Sequence, residues 1–427
     1  MSEWQETELG EVVLTANTGA DAIKRAPIVI EDTGIRCLRI QDVSQSKTYS
    51  DWGFTKVSEI NFNKFQLLKG DLFIARTGAS VGVNLIIQEN LDSVFNNGLI
   101  RIRVNEKTIP KYVSYILLSN YFKSFIINIS RGTSTQPNIQ IGSLLQLPIN
   151  LPPLPEQHRI VAVLSTLDAK IDILQQQNHT LEQIAQTLFK RWFVDFEFPN
   201  EQGQPYKSSG GPMVASELEE IPAGWGVGIL GDVVEITSSK RIFQSEYQES
   251  GILFYRSKEI IELHSGKRIT TKLYISRERF NELDDKFGSP KEGDILLTSV
   301  GTIGIPYLVQ KDDCFYFKDG NLTWFRNFKG DINGQFIYYW LKSKSAQQQI
   351  TGVTIGSTQK ALTIQALKGL DFCIPHTQLL KKYTNVLKRI VKKRNCNIQQ
   401  IQTLTRLRDT LLPKLMSGKL RVSSLDD

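Results

Sequence analysis

The chain is written twice, and that duplication constrains its fold more than any single motif. Trp4 and Leu9-Gly10-Glu11-Val12 return as Trp225 and Leu230-Gly231-Asp232-Val233. Gly70-Asp71-Leu72-Phe73-Ile74 returns as Gly293-Asp294-Ile295-Leu296-Leu297, Gly78 falls on Gly301, Ser134-Thr135-Gln136 on Ser357-Thr358-Gln359, and Pro152 on Pro375. From Gly70 onward most matches keep one offset of about 223 residues, far longer than the 20–50 residues of a solenoid repeat. A period of that length is a duplicated domain, so 427 residues describe two copies of one plan.

Each copy reads as a mixed domain followed by a long helix. "KGDLFIARTG" is a turn, a buried strand and a second glycine turn, and "EGDILLTSVG" repeats it. "PKYVSYILLSNYFKSFI" and "GQFIYYWLKSKSAQQQI" have the spacing of short amphipathic helices. Pro148, Pro152, Pro153 and Pro155 break the chain before a long helical pattern with Glu156 in its first turn. The expected fold class is α+β: two mixed α/β domains separated by a long antiparallel coiled coil, with pseudo-two-fold duplication. The divisions are 1–150, a first helix over 151–198, a Gly/Pro/Ser-rich acidic linker over 199–221, a second domain over 222–373, and a second helix with tail over 374–427.

The helices carry geometry of their own. Ile160, Leu164, Leu167, Ile171, Leu174, Asn178, Leu181, Ala185, Leu188 and Trp192 alternate steps of four and three, the period of a coiled-coil seam. At about 1.5 Å per residue such a helix spans about 55 Å. The second copy offers Tyr383, Leu387, Ile390, Arg394, Asn397, Ile401, Leu404, Arg408, Leu411 and Leu415. One antiparallel register matches every position. It sets Leu164 with Leu411, Ile171 with Leu404, Leu174 with Ile401, Asn178 with Asn397, Ala185 with Ile390 and Trp192 with Tyr383. The stripe asparagines then meet, and a buried Asn pair specifies register at a cost in stability.

Composition narrows the function. No apolar run reaches the length of about 18 residues that a membrane span needs. The start, MSEWQETELGEVV, lacks a secretory core segment, and four scattered cysteines without a CxxC pair fit a reducing cytoplasm. Residues 374–427 hold 12 basic and 3 acidic residues in a chain of net charge +7, a basic stripe that on charge alone fits either nucleic acid or a solvated helix face. No phosphate-binding loop, GxGxxG or HExxH occurs. Asp284-Asp285-Lys286 and Asp168-Ala169-Lys170 have nuclease-like spacing without the turn-then-strand context, and the four histidines form no ligand pair. The expectation is a binder with no catalytic residue, metal or cofactor of its own.

"PPLPEQHRIVAVLSTLDAKID", "TLFKRWFVDFEF", "GPMVASELEEIPAGWGVGILGDVV" and "LLPKLMSGKLRV" together resemble the specificity subunit of type I restriction–modification systems, over essentially the whole chain. The second copy reads "IPHTQLLKKY" where that family favours Pro-Pro-Leu-x-Glu-Gln. The resemblance implies two target recognition domains, each reading a few base pairs of double-stranded DNA. It implies a helical spacer between them that docks two modification (methyltransferase) subunits, which carry S-adenosylmethionine and methylate adenine. These in turn recruit translocating restriction subunits. A spacer of about 55 Å bounds the span near 16 base pairs, and divergent domains imply a bipartite, asymmetric site. Two alternatives are a specificity module serving a solitary adenine methyltransferase and a coiled-coil scaffold with no DNA role. A degenerate nuclease is a third.

Base readout needs Arg, Asn, Gln, Ser or Thr on exposed loops, and phosphates take Lys and Arg. The first domain offers Arg76, Thr77 and Ser80 after its buried strand, and Arg131, Thr133 and Gln136 in a small basic loop. By repeat position the second offers Ser299, Thr302, Thr358, Gln359 and Lys360. Residues shared by both copies, Gly78/Gly301 and Ser134/Ser357, read as structural. Arg76 and Arg131, which have no basic counterpart, read as contacts. Lys388, Arg389, Lys392, Lys393 and Arg394 are candidates for DNA phosphates or an acidic partner surface. Leu164, Ile171, Leu174, Asn178, Leu181, Trp192, Leu387, Ile390, Asn397, Ile401, Leu404 and Leu411 are assigned to helix pairing.

Overall fold

A computed structural model describes residues 4–19, 26–130, 137–265, 269, 271–356 and 360–422. The chain divides into two compact units, residues 1–175 with 398–427, and residues 176–397. The two have one topology, and the architecture is α+β. Each contains a central four-stranded sheet, an outer four-stranded sheet, a two-stranded ribbon, short helices and half of each long helix.

In the first unit the central sheet runs in the order Val13–Thr18, Leu99–Val104, Leu72–Ala75, Asn84–Ile86, all antiparallel. The outer sheet runs Ile28–Val29, Phe54–Thr55, Arg36–Leu38, Ser93–Phe95, and its last pair is parallel. The strand Leu72–Ala75 is buried on both faces, which is why it reads as an unbroken apolar run. Leu72 and Ile74 pack with Tyr112, Val113 and the long-helix residues Ile160 and Leu164. Phe73 and Ala75 point the other way, into the core with Cys37, Val94 and Phe95 of the outer sheet. The second unit repeats the plan. Glu235–Thr237, Leu322–Arg326, Ile295–Thr298 and Pro306–Leu308 form its central sheet, and Tyr247–Gln248, Tyr274–Ile275, Ile252–Tyr255 and Phe315–Phe317 its outer one. Ile295 and Leu297 face the helices, and Leu296 the outer sheet.

The long helices are Leu154–Phe193 and Thr377–Met416, 40 residues each. The first takes in Pro155, whose missing N–H is harmless in an opening turn. Gln157, fully buried, anchors that turn. Its side-chain oxygen accepts from Thr108 Oγ1 at 2.8 Å and from the Ile109 amide, and its nitrogen donates to the carbonyls of Lys107 and Pro152. The second copy lacks this polar anchor and buries Leu379 and Leu380 instead.

Inside each unit the two helical stretches pack antiparallel. In the first, Leu164 shares a core with Leu411, Leu412 and Leu415. In the second, Ala185 and Trp192 share one with Leu387, Ile390 and Tyr383, and the Trp192 and Tyr383 rings lie 5.9 Å apart. Ile171 and Leu174 are buried; Leu181, Ile401 and Leu404 are half-buried. The arginines in the second stripe are matched across the seam. Arg408 lies 3.1 Å from Asp168, which also accepts from Tyr115 Oη. Arg394 pairs with Glu182, which Lys342 Nζ meets at 2.6 Å. Burial alone would raise the Glu182 carboxyl, but the two cations outweigh it and hold it below the usual carboxylate range.

The repeated tryptophans close the units in different ways. Trp4 donates to Glu156 Oε2 at 3.0 Å, and Arg421 grips the same carboxylate at 2.6 and 2.8 Å with its guanidinium over the Trp4 ring. Trp225 instead packs with Phe193, Phe196 and Phe198. Those phenylalanines lead into the stretch expected as a linker, which carries structure of its own. Phe198 stacks on Tyr206 at 4.4 Å, and Met213–Ala215 pairs with Glu220–Pro222. Among the described residues no helix is long and apolar enough to cross a membrane.

Candidate nucleic-acid interface

One end of each central sheet gathers the polar loops. In the first unit Thr18 lies opposite Ile100 and Ala75 opposite Leu99. The end of the first strand, the end of the third and the start of the second therefore emerge together. The segments there are Gly19, Arg76–Ser80 and Asn96–Gly98. A fourth is tied to them: Thr77 bridges Asn138, the Ile139 amide donates to the Arg76 carbonyl at 2.9 Å, and the Gly78 amide donates to that of Pro137 at 3.1 Å. The second unit is built alike, with Thr237 opposite Trp324 and Thr298 opposite Leu322. Val300 bridges Ala361, the Leu362 amide donates to the Ser299 carbonyl, and the Gly301 amide donates to that of Lys360. Gly78 and Gly301 have φ of +76° and +77°, the left-handed turn that glycine adopts without strain, and both face open space.

The side chains at the two ends differ. In the first unit Arg76, Thr77 and Ser80 are half-buried and Asn97 is exposed. Arg76 Nε donates to Asn138 Oδ1 at 3.1 Å, which ties the guanidinium to the neighbouring loop. In the second unit Lys240, Arg241, Thr302 and Lys360 are exposed, and Arg241 lies 3.1 Å from Asp319. Ser299 is different: it is 2% exposed, and its hydroxyl is shared with Leu297 O at 3.2 Å and Thr323 Oγ1 at 2.6 Å. It sits on the inward side of the strand end and holds the sheet together, so it is unavailable to a ligand. Arg131, Thr133, Ser134, Gln136, Ser357, Thr358 and Gln359 lie outside the described residues.

Two groups escaped the sequence reading. One is the loop Asn96–Gly98 with its counterpart Lys318–Asn321. The other is an arginine at the start of a short helix in each unit. Arg39 precedes Ile40–Ser44; its amide and Nε donate to Asp42 Oδ2 at 3.0 and 3.1 Å. Arg256 precedes Ser257–His264 and meets Glu259 in the same way, at 2.8 Å from the amide and 2.7 Å from the guanidinium. Both carboxylates are buried, so each ion pair fixes a helix start beside the loop end: Asn96 donates its amide to Leu38 O, and Ser257 Oγ donates to Asn321 O. The readable signal was an Arg-x-x-Asp/Glu capping box after an apolar strand, "CLRIQD" and "FYRSKE". It falls at a different offset from the other matches and so was hidden.

Chemically, each loop end offers hydrogen-bond donors and cations at the edge of a sheet. Among the described residues no group of three His, Cys, Asp or Glu is placed to hold a metal ion.

Comparison with known proteins agrees with a duplicated reading head. The type I restriction modification DNA specificity domain matches residues 1–183 and again residues 222–406. The MjaIX specificity subunit of a type I restriction enzyme from Methanocaldococcus jannaschii is 28% identical over 367 residues, covering 84% of this chain and 79% of its own. The HindI specificity subunit from Haemophilus influenzae is 24% identical over 476 residues, covering 98% and 100%. The crystal structure of the type I restriction–modification S subunit from M. genitalium shares the fold, with a TM-score of 0.55 and 17% identity over 97% of this chain and 96% of that one. With the domain matched twice across most of its length, the chain belongs to the family of type I restriction–modification DNA specificity subunits.

Proposed function

We propose that this subunit reads a bipartite, asymmetric double-stranded DNA site, one half per unit, through the loop ends of the two central sheets. The long helices set the spacing of the half-sites and dock two methyltransferase subunits, and restriction subunits join that complex. S-adenosylmethionine and the methylation chemistry belong to the methyltransferase subunits, and this chain supplies address rather than reaction. Its place of action is the cytoplasm, where host DNA lies. The observation that carries the reading is one scaffold bearing two different chemistries. Arg76, Thr77, Ser80 and Asn97 stand at one loop end, and Lys240, Arg241, Thr302 and Lys360 at the other. A shared backbone with divergent donors is what two unlike half-sites require.

Methylation-sensitive sequencing of a host carrying the gene with its methyltransferase gene tests this. The expected result is two short unlike blocks separated by a spacer fixed in length and free in sequence. A single continuous motif, or a symmetric one, would sink the proposal. Restriction of unmodified plasmid in the same host distinguishes a full system from a solitary methyltransferase.

A further inference from the structure

The second long helix carries a strongly basic exposed face. Between Thr377 and Arg408 there is no acidic residue. Tyr383 and Leu387 are buried, Ile390 is half-buried, and Arg394 is paired with Glu182. Lys382, Lys388, Arg389, Lys392 and Lys393 point the other way and are exposed. Lys381 lies 3.5 Å from Asp331; among the described residues none of the other five meets a carboxylate. All belong to the second unit. Ordinarily a helix surface intersperses both signs of charge, and like charges at i, i+4 are destabilising. Here Lys388 and Lys392, and Arg389 and Lys393, stand at that spacing with nothing between them.

We infer that this row is a sequence-independent binding surface for the phosphate backbone of duplex DNA, separate from the loop ends that read bases. Three observations choose DNA over an acidic protein. Four of the five cations are lysines, point charges on flexible stems that follow phosphates in any orientation. Protein interfaces are depleted in lysine and favour the arginine fork. The face has no apolar anchor for a protein partner beyond Val386, the one large apolar side chain exposed between 377 and 397. Finally, the row from 382 to 393 spans about 17 Å of helix, and duplex DNA presents about ten phosphates along that distance. The inference rests on the proposed reading of DNA and adds a phosphate-holding surface to it.

The test uses the full chain assembled with its methyltransferase subunits and a duplex of arbitrary sequence. Affinity is measured as a function of salt for wild type, for K382Q/K388Q/R389Q/K392Q/K393Q, and for the charge-preserving K382R/K388R/K392R/K393R. The slope of log affinity against log salt should become shallower by about 0.9 for each phosphate no longer neutralised, or about 3 to 4.5 for the glutamine variant. The arginine variant should keep the wild-type slope. Preference for the methylated motif over arbitrary duplex should be the same in all three. An unchanged slope in the glutamine variant overturns the inference while leaving the base-reading proposal intact. So does failure of that variant alone to assemble, which assigns the row to an acidic protein surface. A wild-type complex without preference for its motif sinks the base-reading proposal, and this one with it.

Discussion

Asn397 is fully buried and donates its side-chain amide to Asn178 Oδ1 at 3.0 Å, with Gln177 Oε1 at 3.3 Å as a second acceptor. The pair joins the long helices within the second unit, at the stripe position where neither contributes an apolar residue. The Asn397 oxygen has no partner among the described residues. An amide half-satisfied in an apolar seam specifies register at the expense of stability.

Replacing both asparagines by leucine should therefore raise stability, by about 1–2 kcal/mol, and blur the register. Urea unfolding reads the first effect, and cysteine cross-links between Ala185 and Ile390 against a heptad-shifted pair read the second. A less stable double variant would show the pair to be a net contributor.

Glu182 takes Lys342, Arg394 and the Tyr339 hydroxyl at once. Glu182→Ala leaves both cations without their partner. Because Arg394 stays partly open to solvent, the expected cost is about 2–3 kcal/mol, under the full value for a buried pair. The Glu182 carboxyl is held below its ordinary range, so its contribution is present above about pH 4.3 and is lost as pH falls through the lowered value. The stability gap between wild type and E182Q should accordingly be full at neutral pH and close in acid. A gap that does not change with pH would remove the ion cluster as its cause.

Arg421→Ala opens the clasp on Glu156, a carboxylate whose side chain is 7% exposed. Trp4 remains as a donor, so the expected cost is about 2 kcal/mol. Hydrogen exchange should rise in the ribbon of Gln5–Glu8 with Pro148–Leu151 and leave the second unit unchanged. Faster exchange in the second unit would contradict this.

Loop-end substitutions should act on one half-site each. Arg76→Ala, Asn97→Ala and Arg131→Ala should relax the block read by the first unit, at about 1–3 kcal/mol for each base interaction removed. Lys360→Ala and Thr302→Ala should touch only the other block. Methylome sequencing of each variant reports which block changed, and a change in both blocks from one substitution would break the assignment of one unit to one half.

Ser299→Ala is the contrasting case. The residue is buried with its hydroxyl on Thr323, so the substitution should lower stability by about 1–3 kcal/mol and leave the methylated motif as it was. An altered motif would return Ser299 to the reading surface.

Ser299 also shows where sequence reasoning stops. Its place in the repeat, opposite Arg76, marks it as a loop residue, yet only strand pairing tells that its side chain turns inward. The large periodic features were legible. "DLFIA" and "DILLT" are strands buried on two faces, and the helix stripes bury Leu164, Leu174, Leu387 and Asn397. The pairing of Arg394 and Arg408 with Glu182 and Asp168 was not, because the carboxylates lie just off the apolar stripe and their partners are remote in sequence. The loops Asn96–Gly98 and Lys318–Asn321 were missed for a related reason. Their importance comes from the sheet register that lays them beside Arg76 and Ser299, and register is a long-range property.

The division into units also bears on synthesis. Residues 176–397 are one uninterrupted stretch and can complete their fold while still near the ribosome. The other unit begins at the N-terminus yet needs residues 398–422, among them Leu412, Leu415 and Arg421, to fill its core and close its clasp. The half translated first is thus finished last. A message truncated before its final helix turns yields a product whose later half is intact and whose earlier half is left open.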